Sequence, residues 1–169
     1  MFGQTRFTLL VDVIRRYARY PGWSLMETHY AAAAELTRRN MAENFPHLAY
    51  DEAKMKFELD NALAGARGIT GFVAVHNGEV VGYLMAIIQE HAFATGKVGT
   101  LRVLYVRPES RGSSAAFRLM NVFKDFTRAL GCVETHVGVT SGYRTDQARR
   151  FFEKLGYTYV GPLLMMKGN

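Results

Sequence analysis

The run Leu104-Tyr105-Val106-Arg107-Pro108-Glu109-Ser110-Arg111-Gly112-Ser113-Ser114-Ala115-Ala116 sets an apolar strand, a proline stop and several small residues directly before an amphipathic helix. Small side chains at such a junction let a polyanion reach the unbonded N–H groups of the first helical turn, where the macrodipole also favours negative charge. Arg111 adds a cation at the mouth. The chemistry expected is binding of a phosphate-bearing cofactor by Arg111, Gly112, Ser113, Ser114, Ala115 and Ala116. An ordinary Gly/Ser loop is the competing reading, and the placement between strand and helix argues against it. No metal site is expected, because His29, His47, His76, His91 and His136 show no ligand spacing and the lone Cys132 cannot build a Cys/His set. Cys132 opens a strand and reads as a small buried hydrophobe rather than a nucleophile.

The elements that must position this loop follow from periodicity. Leu9, Leu10, Val13, Ile14 and Tyr17 recur at helical spacing, and Pro21-Gly22 interrupts them. Ser24 with Glu27 three residues on forms a capping-box pattern and opens a helix towards Asn40; Asp51 caps another that ends at Gly65. From Thr70 the period becomes two. Phe72 to Val75 predicts a strand, Asn77-Gly78 a type I′ turn, and Val80 to Ile88 the partner strand. Val98 to Val106 follows as a third strand. Phe117, Met120, Val122, Phe123, Phe126 and Leu130 form a helical apolar stripe closed by Gly131. Cys132 to Thr140 predicts a strand and Asp146 to Leu155 a helix stopped by Gly156. Tyr157 to Val160, Gly161-Pro162 and Leu163 to Lys167 predict a closing hairpin.

At 169 residues, nearly half of them hydrophobic, the chain has enough material for one real core. We expect a single domain over 1–169, with a helical region at about 1–66 and a core at about 70–169. The net charge of +6 suits an anionic ligand, an acidic substrate or nucleic acid. The early apolar run Phe7 to Ile14 contains Asp12 and meets Arg15 and Arg16 without a small-residue cleavage site. No segment is apolar enough to span a bilayer, so a cytoplasmic, soluble protein with no membrane partner is expected.

Three stretches, in order, resemble the GNAT superfamily, the GCN5-related N-acetyltransferases. Gly71-Phe72-Val73-Ala74-Val75-His76-Asn77-Gly78-Glu79-Val80-Val81-Gly82-Tyr83 is similar to the family's second and third strands. Val106-Arg107-Pro108-Glu109-Ser110-Arg111-Gly112 resembles the start of its acetyl-CoA signature. Ala148-Arg149-Arg150-Phe151-Phe152-Glu153-Lys154-Leu155-Gly156-Tyr157 resembles its penultimate helix. The resemblance implies an α/β GNAT fold whose mixed central sheet is splayed between the fourth and fifth strands and flanked by helices. It also implies acetyl-CoA as cofactor, with the pyrophosphate on the amides of Arg111 to Ala116. The strand Leu104, Tyr105, Val106 would pair with the pantetheine amides, and Thr145 and Phe152 would complete the cofactor contacts. Two positions depart from the family pattern. Ser114 stands where the first motif glycine is expected, although a serine can still start a helix and bond a phosphate. Phe152 stands where a tyrosine usually protonates the leaving thiolate, and a phenyl ring has no proton to give.

The activity so implied is transfer of acetyl from acetyl-CoA to a primary amine by direct attack in a ternary complex. The proton acceptors expected by topology are Glu90, beside His91 at the end of the second hairpin strand, and Glu27, beside His29 and Tyr30 in the region that commonly lines the acceptor site. Tyr143, just before the last helix, is the expected replacement for Phe152 as acid. The acceptor is a small-molecule or peptide amine, with antibiotic and protein lysine also open. Two other readings stand: a GNAT-like enzyme that modifies nucleic acid, suggested by the charge, and an acetyl-CoA-binding regulatory protein without turnover, suggested by Ser114 and Phe152. The apolar edge Leu163-Leu164-Met165-Met166 admits a homodimer.

Overall fold

The computed structural model describes residues 25–141 and 144–164. The expected helix over Leu9 to Tyr17, the Ser24 cap, Tyr143 and the end of the closing hairpin lie outside the described residues. A single 3-10 turn, Glu27–His29, leads into α1, Tyr30–Asn44. Helix α2, Glu52–Ala64, begins where Asp51 Oδ1 accepts from the Lys54 N–H at 3.0 Å and ends at Gly65, whose φ of 60° is left-handed. Both ends are those the sequence predicts. Helix α1 runs one turn further than Asn40, because no glycine or proline interrupts the chain before Phe45.

Strands β1 (Ile69–His76), β2 (Glu79–Glu90), β3 (Lys97–Val106) and β4 (Cys132–His136) form one sheet in that order. The first three are antiparallel, and β4 joins β3 in parallel. Asn77 and Gly78, at φ 51° and 80°, make the predicted primed turn. Helix α3, Ala115–Ala129, returns the chain from β3 to β4, and α4, Thr145–Lys154, follows β4. One sheet face packs on α3 and α4 through Phe72, Leu84, Leu119, Met120, Phe123 and Phe152. The other packs on α1 and α2 through Ala33, Leu36, Leu59, Val73, Tyr83 and Tyr105. The mixed sheet is therefore covered on both faces by helices, an α/β architecture.

Helix α3 lies close against β3. A Cβ on Gly99 would stand 2.6 Å from Thr127 Cγ2, so only glycine fits beneath the helix there. Two expectations change. The strand predicted to reach Thr140 stops at His136, because its pairing with β3 ends at Thr100 and His136. Beyond that point Val137 and Val139 pack towards the α3 and α4 core instead of extending the ladder. The closing hairpin has no strand in its described part, 157–164, where Val160 and Leu164 are exposed. Pro162 has no N–H to add to a ladder, and an isolated two-stranded hairpin has little stability of its own.

Phe123 is fully buried between α3 and the sheet. Phe123→Ala should cost about 3–5 kcal/mol of unfolding free energy by transfer and cavity terms together, measured as a shift of the urea midpoint at constant slope.

Candidate functional site

The site begins where the ladder ends. Parallel pairing of β3 with β4 runs from Lys97 and Cys132 to Thr100 and His136, whereas β2 pairs β3 all the way to Val106. From Leu101 to Val106 the outer edge of β3 instead borders a cleft of about 690 Å³, with Gly138, Val139, Thr140 and Ser141 across from it. The edge strand serves both sheet faces. Leu104 and Val106 belong with the α3 and α4 core, Val103 and Tyr105 with the α1 and α2 core. The cleft therefore wraps the edge and has a wall on each side.

On one side stand the loop after β3 and the start of α4: Ser110, Arg111, Gly112, Ser113 and Ala116, with Gln147, Ala148, Phe151 and Phe152. The loop is built by local bonds. Arg107 N–H donates to Val81 O at 3.0 Å, one step past the last β2–β3 pair, and Pro108–Ser110 then turns the chain away in one 3-10 turn. Ser113 Oγ donates to Ser110 O at 2.7 Å and accepts from the Ala115 N–H at 3.3 Å. Gly112 has φ 81°, and a side chain there would meet nothing within 4 Å, so the glycine serves the backbone turn and leaves open space above it. The first bond of α3 runs from Arg118 N–H to Ser114 O at 2.9 Å, so of the three amides before it the one at Ala115 turns to Ser113 Oγ and those of Ala116 and Phe117 face the helix start. Ser114 occupies the N-cap position without a side-chain cap bond.

On the other side stands α1, contributing Thr37, Asn40, Met41, Glu43 and Asn44, followed by Phe45 and Leu48, with Tyr83 behind. Thr37, Asn40, Met41 and Asn44 follow i, i+3, i+4, i+7 and so share one helix face. Glu43 is the single carboxylate among the described lining residues. Arg111 grips it with both terminal nitrogens, each at 2.6 Å, and Tyr105 Oη donates to it at 3.1 Å. The Arg111 bonds above all, helped by Tyr105 and by the Arg111 and Arg144 charges, hold the Glu43 carboxyl below the usual carboxylate range. Burial chiefly, and then Glu43, push the Tyr105 phenol up. Arg111 itself lies 5.6 Å over the Tyr105 ring and donates from Nε to Val106 O at 3.0 Å.

Among the expected cofactor residues, Leu104, Tyr105, Val106, Arg111, Gly112, Ser113, Ala116 and Phe152 line this cleft. Ser114, Ala115 and Thr145 are not among its lining residues; they are the N-cap and first residue of α3 and the first residue of α4. Phe152 is buried, with Phe151 and Tyr157 rings at 5.4 and 6.0 Å. The expected carboxylates are elsewhere. Glu90 is exposed and paired in register with Lys97, four residues or about 13 Å along β3 from Leu101. Glu27 is exposed in the turn before α1, ten residues before Thr37. His91 caps its own loop, its Nδ1 accepting from the Phe93 and Ala94 amides, and His136 is exposed beside Glu134. The arginines around the signature are largely committed: Arg102 to Glu58, Arg107 to Glu79 and Arg128 to Asp125. Lys124 donates to Leu155 O at 2.7 Å and fastens the end of α4 to α3. No cluster of metal ligands is present among the described residues, and no helix among them is long and apolar enough to cross a membrane.

Residues 30–157 match the model of the acetyltransferase (GNAT) family. A spore coat polysaccharide biosynthesis protein, SpsD of Bacillus subtilis (strain 168), is 31% identical over 117 residues, 67% of this chain and 37% of that protein. The chain thus spans little more than a third of that relative's length. Among solved structures, AAC(6')-Iy in complex with a bisubstrate analogue, CoA-S-monomethyl-acetylneamine, superposes with a TM-score of 0.71 at 16% identity, over 86% of this chain and 95% of that one. An acetyltransferase of Trypanosoma brucei superposes with a TM-score of 0.66 at 20% identity, over 85% and 96%.

Tyr83 forms the floor of the α1 side. It is 1% exposed, and burial pushes its phenol up to about 12, Thr37 and Asn40 pulling weakly the other way. Burial likewise takes Tyr157 up to about 12. A phenol held neutral in the fold stabilises it fully below pH 10, the unfolded value, and that stability drains away as pH rises from 10 towards 12. Each ring accounts for at most about 3 kcal/mol of the decline. Tyr83→Phe should make the alkaline decline shallower while costing little at pH 7, where the hydroxyl has no bonded partner to lose. Unfolding free energy followed from pH 8 to 12, beside tyrosinate absorbance, tests this.

Proposed function

The chain belongs to the acetyltransferase (GNAT) family, and from that membership we propose that it transfers the acetyl group of acetyl-CoA to a primary amine by direct attack in a ternary complex. The observation that carries the reading is one continuous cleft wrapping the free edge of β3, with a helix-start anion cradle on one side and the α1 wall on the other. Two ligands can then meet at the strand edge from opposite sides, which direct transfer requires.

The residues fit the cofactor. The amides at the start of α3, Gly112 and Arg111 would hold its phosphates, with Ser113, Ser114 and Ala115 shaping the turn. The edge of Leu104, Tyr105 and Val106 would pair with the pantetheine amides as an added strand would, and the divergence of residues 137–140 from β3 would admit the thioester. Bound acetyl-CoA supplies an activated acetyl group and a thiolate leaving group. Phe152 packs beside that position and excludes water without moving a proton. Thr145, the first residue of α4, closes the same side. Ser141 and Arg144 both line the cleft and flank Tyr143 in sequence, and on that ground we assign Tyr143 the proton donated to the departing sulfur. Glu90 and Glu27 take no part in this reading, since neither borders the cleft, and the proton shed by the attacking amine passes to water. One relative is named for polysaccharide biosynthesis, and solved neighbours include aminoglycoside acetyltransferases. Those relatives support an amine carried on a sugar as the first small-molecule acceptor to try.

The direct test is turnover of acetyl-CoA against a mixed amine panel of sugars, small amines and peptides, read by product mass. Binding of CoA without any acetylated product would favour the regulatory reading instead. Ser114→Glu sets a carboxylate against the phosphates and should weaken CoA binding roughly 100-fold or more, equal to about 2.7 kcal/mol. Unchanged affinity would remove the loop assignment. Tyr143→Phe should lower kcat by roughly 100-fold with CoA affinity intact, and an unaltered kcat would return the proton to solvent.

A further inference from the structure

The cation expected to meet the cofactor phosphates and the one carboxylate of the cleft are bound to each other. Arg111 and Glu43 form a fork-to-fork pair with two contacts of 2.6 Å, each side chain about one-third exposed at 34% and 27%. They come from opposite walls, Glu43 from the last turn of α1 and Arg111 from the loop before α3. In this state Glu43 has little charge to offer an ammonium ion, and Arg111 has little to offer a phosphate.

We infer that this pair is a latch between the two half-sites: phosphate bound at the start of α3 draws Arg111 away from Glu43, and the released carboxylate then binds the ammonium group of the acceptor. The inference rests on the acetyltransferase reading and goes beyond it by naming the acceptor-binding residue and its control. The physics has three parts. A pyrophosphate brings more than one negative charge and is itself held by helix-start amides, so it competes for the guanidinium at close range. Arg111 Nε is anchored to Val106 O and its plane rests on Tyr105, which keeps the guanidinium beside the loop while its terminal nitrogens change partner. Once released, Glu43 retains the Tyr105 hydroxyl, and a partly buried carboxylate that has lost two charged bonds favours a new cation. Cofactor and cationic acceptor should then bind with positive coupling, and linkage makes that coupling reciprocal.

Calorimetric titration with CoA separates the outcomes. Glu43→Gln removes the competitor for Arg111, so CoA should bind roughly 3- to 10-fold tighter than to the unmodified chain, the reverse of what a simple loss of structure gives. With the acceptor found in the panel, the same variant should raise the amine KM roughly 10-fold, and Glu43→Asp should recover part of it. In the unmodified chain the amine should tighten CoA, and in Glu43→Gln that effect should vanish. Tyr105→Phe offers a second variant that keeps both charges; it should raise the amine KM less than Glu43→Gln does. Thermal melts of each variant show that it is folded. Normal CoA binding by the unmodified chain together with unchanged or weaker binding by Glu43→Gln overturns the latch alone. Absence of CoA binding by the unmodified chain overturns the acetyltransferase reading, and the latch with it.

Discussion

Half of β3 has a strand on only one side, and apart from Val106 O, which accepts from Arg111 Nε, the backbone groups of its free edge are left to water or a ligand. That constraint organises everything around it. Were the ladder with β4 continued past Thr100, residues 101–106 would be sealed, and neither α1 nor the loop before α3 would have a common space to face. Because it stops, side chains that alternate across one strand reach two chemically different walls. Leu104 and Val106 look to the α3 and α4 side, Val103 and Tyr105 to the α1 side. The bulge between Met85 and Ala86 leaves Arg102 as the extra residue on β3, and that side chain turns to Glu58 on α2.

Electrostatics gives the two walls their separate characters. The loop side offers backbone dipoles and cations; the α1 side offers amides, a threonine, apolar groups and one acid. The excess positive charge of the chain is only partly local to the cleft, since several arginines near the signature answer to acids on neighbouring elements. A count of charges along the sequence therefore overstates the field that a ligand would meet, and exposed pairs of this kind add little to stability.

The sequence made local features legible and tertiary ones obscure. Asn77-Gly78, the Asp51 cap and Gly65 specify their turns and helix ends through short-range backbone preferences, and the fold agrees at each. The cofactor loop is equally local. The end of β4 at His136 is not, because Val137 and Val139 alternate as a strand would and only their divergence from β3 stops the ladder. Glu43 lies beyond Asn40, in a stretch that lacks a helix breaker until Pro46 and so extends α1 by one turn, but the local sequence does not say what that turn faces. Glu90 illustrates a constraint that strand order alone carries. In an antiparallel pair the end of β2 meets the start of β3, whereas the signature follows the end of β3, so antiparallel order alone puts Glu90 at the far end of the sheet from the loop.

One wall of the cleft is mostly one helix and the residues just after it, whereas the other is assembled from a strand, a loop and two helices that also make the main core. Met41, Asn44 and Leu48 stand outside both core clusters, whereas Leu104, Val106, Phe151 and Phe152 on the opposite wall are packed with one of them. Drift in this lineage should accordingly be lopsided. On the reading proposed above, the acceptor could be exchanged by a few substitutions along one face of α1, while the wall proposed for the activated donor stays locked into the architecture that supports it.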